Sequence, residues 1–320
     1  SGLLSLVDSA LYYGYQLLLS IPNDWRWFSL NEFSFSLLII SYITLLLLYF
    51  SPNKYVCLIP VCIYAVDSEL QPEAKFQLDV FDVGHGLMLM VSHKNKAIIY
   101  DLGPQYFGRY DYIHRVLLNN INKQQLSVIA TIISHLDNDH SGGLSSWQMA
   151  GFQDTLAIFH PQGLGNKCKT TTLKLDKLKI RSFTAKVENA SRNDQSCLLK
   201  VTGFNYSVLL TGDISAAAET KLVEEGMDLG ATILISPHHG SNTSSSFEFI
   251  GAVNPEVVIH SSAYQGQWRF PHPEVVNRYN QHHIKQLSTA ENGHIRIKFY
   301  SDTYRLEFAR EQESYWFEQD

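Results

Sequence analysis

The chain is poor in cysteine, with four in 320 residues. None of Cys57, Cys62, Cys168 and Cys197 has the spacing of a zinc knuckle or of a dense disulfide framework. A thiolate-held structural zinc is thereby excluded, and any metal must be held mainly by histidine and carboxylate. Cys168 and Cys197 have the option of pairing in an oxidising compartment, but two cysteines in a chain of this size are more often buried free thiols, and that is the expectation. Positive charge is also in short supply. A net charge of -6 argues against nucleic-acid binding through overall charge and leaves only local basic surfaces. One such surface is the stretch 167–192, with Lys169, Lys174, Lys177, Lys179, Arg181 and Lys186 against Asp176 and Glu188; runs of this kind are more often solvated faces than phosphate tracks. There is no internal repeat and no low-complexity tract.

Charged residues are missing altogether from two stretches, "FSLLIISYITLLLLYF" from Phe35 to Phe50 and "VCLIPVCIYAV" from Val56 to Val66. The first, extended by Phe28, Leu30 and Phe33, approaches the ~20 residues that span a bilayer core; the second is short. Together they predict a helical hairpin of two transmembrane segments turning at Pro52, Asn53 and Lys54, with a buried core hairpin as the alternative. Trp25, Trp27 and Phe28 beside Arg26 read as an interfacial aromatic belt. The start has neither an initiator Met nor a basic segment, which argues against a signal peptide and for a piece of a longer protein. Residues 1–22 have the spacing of an amphipathic surface helix. Lys54 in the turn places it on the cytoplasmic side, and everything after Val66 outside. The expected organisation is a membrane-associated segment at 1–66, a linker at 67–74 and a soluble domain at 75–320.

In the soluble part, "FQLDVFDV", "LMLMVS", "AIIYD" and "VIATIIS" are short apolar runs of strand length. Helices are predicted at Arg109 to Asn119, Ser215 to Glu225 and Pro273 to Asn280. The runs "YSVLLT", "ATILIS" and "EVVIHS" each end in polar residues, where a layered α/β domain assembles its site.

"TIISHLDNDHSGGL" supplies His135, Asp137, Asp139 and His140 on a tight loop after a strand. Imidazole and carboxylate at this spacing suit Zn²⁺ or Mn²⁺, although Asp and Ser before a helix also serve as ordinary caps. "VLLTGD" then ends at Asp213 and "ILISPHHGS" at His238 and His239. Either alone is bland; their order after the first cluster is not.

"FDVGHG", "IIYDLGP", "SHLDNDHSGG", "RNDQSCLLKV", "LLTGDI", "PHHGSNTSSS" and "FPHPEVV" resemble the motif series of the metallo-β-lactamase fold. More narrowly they resemble the C-terminal domain of the ComEC/Rec2 family, the DNA internalization proteins of natural competence, with the apolar hairpin similar to the end of that family's channel region. The resemblance implies an α/β fold, an αββα sandwich preceded by an α-helical membrane segment, with a divalent metal, Mn or Zn, one or two ions, at one edge of the sheets. It implies His135, Asp137, Asp139, His140, Asp213 and His239 as ligands. Asp139, His238 and His272 are the expected catalytic or phosphate-contacting groups, and Ser241 a further phosphate contact. Asp82 and Asp101 are expected to brace the ligand loops.

Three departures from the pattern stand out. Asp137 replaces the second histidine of the usual signature, His85 replaces a glutamine, and the middle histidine ligand has no counterpart, Asn193, Asp194 and Ser196 being the nearest polar candidates. One well-made centre is therefore a safer expectation than two. The activity implied is metal-dependent hydrolysis of the non-transported DNA strand at a bacterial inner membrane, on the periplasmic or extracellular side, with DNA, the membrane and other uptake proteins as partners. The alternatives are a small-molecule hydrolase and a catalytically degenerate domain that guides DNA.

Overall fold

The structure is a computed structural model and describes residues 12, 32–50, 54–60, 62, 73–155, 168 and 170–310. The chain divides into two compact units, Ser1–Pro72 and Glu73–Asp320.

In the first unit a helix runs over Glu32–Phe50, followed by a tight turn at Lys54–Cys57. It leaves Tyr42, Leu45, Tyr49 and Phe50 exposed. Among the described residues no helix is long and apolar enough to cross a membrane. The two predicted transmembrane segments are thus not found there. The first coincides with this 19-residue helix, which opens on a carboxylate, is broken by Ser34, Ser36, Ser41 and Thr44, and at ~1.5 Å per residue falls just short of a ~30 Å hydrocarbon core. Much of the second segment, and the surface helix predicted for 1–22, lie outside the described residues.

The second unit is built on two sheets. One has the order β13 (Tyr304–Phe308), β12 (Ile295–Phe299), β1 (Phe76–Val80), β2 (Met88–His93), β3 (Lys96–Leu102) and β4 (Ser127–Ile132), and the other β11 (Lys285–Ser288), β10 (Val257–His260), β9 (Ile233–Ile235), β8 (Tyr206–Leu210), β7 (Leu198–Gly203), β6 (Leu178–Phe183) and β5 (Thr171–Leu175). Alternation along the strands explains the layering, because successive side chains point to opposite faces. In β2 (Met88–His93), Leu89 and Val91 enter the core between the sheets, whereas Met88 and Met90 face a second cluster with Ile113, Leu117 and Trp147. In β9 (Ile233–Ile235) and β10 (Val257–His260), Ile233, Ile235, Val257 and Ile259 face inward, and Leu234 and Val258 pack outward. The outer partners there are Ala218 and Leu222, Phe249 and Val253, and Val275 and Tyr279, which lie on the helices Ala216–Glu224, Phe247–Val253 and Pro273–Gln281. Helices pack on the outer face of each sheet and the core lies between them, giving the expected αββα sandwich.

The helices predicted at 215–225 and 273–280 appear at Ala216–Glu224, capped by Ser215, and at Pro273–Gln281, capped by His272. The helix predicted to start at Arg109 starts at Ile113 and continues to Lys123. Residues before it form a turn in which Tyr106 bridges Tyr110 around Gly108 at φ +65°. The cysteine expectation is corrected as well, since Cys168 and Cys197 are disulfide-bonded. The basic stretch is largely the hairpin β5 (Thr171–Leu175) and β6 (Leu178–Phe183) at the edge of the second sheet, with Lys174 opposite Lys179. Both lysines are exposed, the arrangement with which edge strands discourage unwanted pairing.

Candidate metal centre

Five chain segments deliver side chains to one edge of the sandwich. β3 (Lys96–Leu102) runs parallel to β4 (Ser127–Ile132), and β8 (Tyr206–Leu210), β9 and β10 are mutually parallel. Their C-terminal ends therefore carry Asp101, His135, Asp213, the His238–His239 pair and Ser261. Hydrogen bonds to backbone carbonyls tie the sheets together here: Cys197 N donates to Ser134 O (2.9 Å), and the Ser261 hydroxyl Oγ donates to Gly86 O (2.6 Å).

The ligand atoms of Asp139, His140, Asp213 and His239 all lie within 4.8 Å of one another. His140 Nε2 is 3.0 Å from Asp213 Oδ1 and 3.2 Å from His239 Nε2. Asp139 Oδ2 is 3.4 Å from His239 Nε2 and 3.8 Å from His140 Nε2. Four ligands at ~2.1 Å around a tetrahedral ion would sit about 3.4 Å apart, so these spacings fit a single ion.

The outer hydrogen bonds fix which nitrogen faces inward. His239 Nδ1 donates to the Ser261 carbonyl (3.0 Å) and His140 Nδ1 to Asp101 Oδ2 (2.7 Å), leaving both Nε2 atoms toward the cluster. Asp101 also accepts from Ser134 N (2.6 Å) and Ser134 Oγ (2.8 Å). Because the Ser134 hydroxyl proton is committed to Asp101, His135 Nδ1 is the donor in its 3.0 Å contact with Ser134 Oγ. His135 Nε2 is then an unprotonated, buried nitrogen with no hydrogen-bond partner. A buried acceptor left so is costly, and a cation is the species that would satisfy it.

The electrostatics point the same way. Burial alone would raise Asp213 and Asp139, yet His140 and His239 hold Asp213 well below the usual carboxylate range and Asp139 below it. Burial would lower His140, but Asp213 and Asp101 outweigh it and raise it well above the ordinary imidazole value. Burial, reinforced by neighbouring histidines, lowers His135 to about 3 and His85 to about 4, so both keep a free lone pair at neutral pH. Anionic oxygens, together with the neutral imidazoles of His135 and His85, are a donor set for a divalent cation, whose binding would displace the extra proton that the carboxylates hold on His140. Asp101, His238 and His239 hold φ of +59°, +49° and +57°, a left-handed conformation unusual for side-chain-bearing residues and common at functional sites.

The remaining predicted residues fall into two groups. His85 Nε2 lies 3.6 Å from Asp139 Oδ2, and His238 Nε2 lies 3.7 Å from Asp213 Oδ2, so both border the cluster. Asp137 reaches His135 Nε2 at 3.8 Å while its other oxygen pairs with Arg192 (3.1 Å). By contrast, the hydrogen bonds of Asp194 go to Ser191 and to the Ser215 backbone. Asp82 binds Gly84 N and Arg310, and Ser241 Oγ binds Thr243. His272 is not brought into the cluster: its Nδ1 accepts from Glu274 N (3.3 Å) as a helix cap. Ser134, Arg192 and Ser261 were not foreseen. Ser134 is signalled only by its place beside His135, and Arg192 by the basic stretch it closes.

No family model matches the chain. It is 32% identical over 245 residues to "Uncharacterized protein YcaI" of Escherichia coli, a match covering 74% of this chain and 32% of that protein. It is 30% identical to "Recombination protein 2" of Haemophilus influenzae (76% of this chain, 31% of that protein) and 29% identical to "Competence protein ComA" of Neisseria gonorrhoeae (78% and 36%). The match thus spans about a third of each relative. Among solved structures, the metallo-β-lactamase fold protein YhfI of Bacillus subtilis aligns with a TM-score of 0.47 and 12% identity, over 73% of this chain and 100% of that one. Over the matched residues the chain is a homologue of these recombination and competence proteins.

Proposed function

We propose that this homologue of competence and recombination proteins is a metal-dependent DNA phosphodiesterase, the nuclease part of a DNA-uptake protein that degrades the strand not taken up. The observation that carries the reading is the cluster of half-buried Asp139 with buried His140, Asp213 and His239, beside the His135 Nε2 that has no hydrogen-bond partner. Asp139, His140, Asp213 and His239 would hold the ion, with His135 and Asp137 as candidates for a second. When bound, a divalent cation there supplies Lewis acidity toward water and a phosphoryl oxygen. The chain's own groups do the rest. His238, half-buried and held below its ordinary pKa mainly by burial, is neutral and placed to accept a proton or to contact phosphate. Asp101 fixes the His140 ring, and His85 closes the site beside Asp139.

The relatives named for competence and recombination support DNA as the substrate and other uptake proteins as partners. The Cys168–Cys197 disulfide supports a periplasmic or extracellular position for this unit, since such bonds persist in oxidising compartments. The apolar residues exposed on the helix Glu32–Phe50 are the surface by which the first unit would associate with the membrane.

The test is direct. The full chain is expressed, its metal content is quantified, and cleavage of single- and double-stranded DNA is assayed with Mn²⁺ or Zn²⁺, in wild type and Asp139→Ala. Metal-dependent cleavage abolished by Asp139→Ala is expected. Absence of both metal and cleavage in the wild type sinks the proposal, and activity confined to lactones or small phosphodiesters replaces it with the small-molecule reading.

A further inference from the structure

Two loops that border the metal cluster carry large aromatic rings turned to solvent. Trp268 is 59% exposed, with its ring centroid 6.5 Å from that of His85. The His85 ring in turn lies 4.8 Å from the His239 ring and 5.6 Å from Phe270. Trp268 is thus one ring removed from a cluster residue. The adjacent Arg269 is exposed and adds a positive charge.

The second loop is the turn before Ile113. It is locked to the short helix Asn138–Ser141 that carries Asp139 and His140: Asn138 Nδ2 donates to Gln105 O (3.0 Å), and a Cβ added at Gly142 would lie 2.2 Å from Gln105 N. Tyr106 sits close over the segment next to His85, its hydroxyl 3.3 Å from where a Cβ on Gly84 would be. Phe107, at the turn, is 98% exposed. A single exposed aromatic residue needs no explanation. Two of them, one reaching His239 by way of the His85 ring and the other on a turn bound to the helix that carries Asp139 and His140, form a pattern.

We infer that Trp268 and Phe107 are stacking platforms for the bases of an unpaired DNA strand, and that they make this site prefer unpaired over paired DNA. The inference rests on the DNA-hydrolase reading for its substrate. Every base offers a π-face, so stacking tolerates any sequence, and an adjacent arginine follows the backbone. In a duplex both faces of each base are already covered by neighbouring pairs, and the rings have nothing to receive.

Binding is measured separately from cleavage. The full chain, stripped of metal with a chelator, is titrated against a fluorescein-labelled 12-nucleotide oligodeoxythymidine and a 12-base-pair duplex, with anisotropy as the readout. Wild type should bind the unpaired oligonucleotide more tightly than the duplex. Trp268→Ala and Phe107→Ala should each weaken that binding by about tenfold, the order expected for one stacked base, and leave duplex binding unchanged. Trp268→Phe should recover most of the loss, which a merely destabilised loop would not. Oligonucleotide affinity unaltered by either alanine variant, or an equal loss on the duplex, overturns the inference. Metal-loaded wild type that fails to cleave while this binding pattern holds removes the hydrolase reading alone.

Discussion

Replacing Asp101 with asparagine isolates the one hydrogen bond that decides which nitrogen of His140 faces the metal cluster. Asp101 is fully buried, and its carboxylate accepts from Ser134 N, Ser134 Oγ and His140 Nδ1. The backbone there is left-handed, at φ +59°, and asparagine is among the residues that best tolerate that conformation, so Asp101→Asn leaves the chain path intact. The amide, however, has one acceptor oxygen where the carboxylate had two. If that oxygen keeps Ser134 N, the NH₂ faces His140 Nδ1, which must then accept; the His140 proton moves to Nε2 and points at the ligand position. If the amide turns over, its NH₂ opposes Ser134 N, and a buried donor is left unsatisfied at a cost of ~1–3 kcal/mol. Loss of such an outer partner lowers metal affinity by about 10–100-fold, which is ~1.4–2.7 kcal/mol. Calorimetric titration of metal-free protein with Zn²⁺ or Mn²⁺ reads this directly, and a melting curve of the same samples reports the fold. Affinity within about twofold of wild type, in a variant with an unchanged melting curve, would refute the assigned hydrogen-bond directions and with them the argument that His140 is a ligand.

Gly212→Ala places a Cβ 2.9 Å from Ser134 Cβ and Ser196 Cβ at φ +56°, and the combined clash and strain should cost ~2–4 kcal/mol, read as a lower Tm together with weaker metal binding. Burial holds His260 at about 4 against an ordinary 6.5, so its contribution to stability is complete above about pH 6.5 and is lost as pH falls toward 4. That amounts to roughly 3 kcal/mol at the acid end, and His260→Gln should flatten this limb of a stability-versus-pH curve by that amount; an unchanged slope contradicts the assignment. Reducing the Cys168–Cys197 bond reopens a 29-residue separation, which the chain-entropy model values at about 3–4 kcal/mol, so denaturant midpoints with and without a reductant should differ accordingly.

The strands were legible as short apolar runs of strand length, those ending at Asp101, Ile133, Asp213 and Ser236 among them, whereas their assembly into a sandwich was implied by the resemblance of the motif series. The order of the chemical groups was legible too, since each ligand lies on the loop or short helix that follows the end of a strand. Contacts between distant segments were not. Ser261 supplies both the carbonyl that orients His239 and the hydroxyl that holds Gly86, and nothing around it in the chain marks it. The disulfide was misread because local composition says nothing of which strands face each other, whereas Tyr100 OH donating to Cys197 O shows how close to the site that cysteine lies. The helix placed at Arg109 starts late because the Tyr106–Tyr110 bridge occupies the backbone groups its first turn would need.

The two aspartates of the ligand loop differ in what holds them, and that bears on how the cluster would load. Among the groups facing Asp139 Oδ2 are the rings of His239, His85 and His140, so its charge is directed inward. Asp137 divides its oxygens between His135 Nε2 at 3.8 Å and Arg192 at 3.1 Å. An ion held by His135 and Asp137 would have to share that carboxylate with a guanidinium. Arg192 is 65% exposed, and an ion pair so open to water is worth only ~0–1 kcal/mol, so it competes weakly. The Asp139–His140–Asp213–His239 position, where no guanidinium pairs with a carboxylate, would therefore fill first. Filling the other would release Arg192 beside the site.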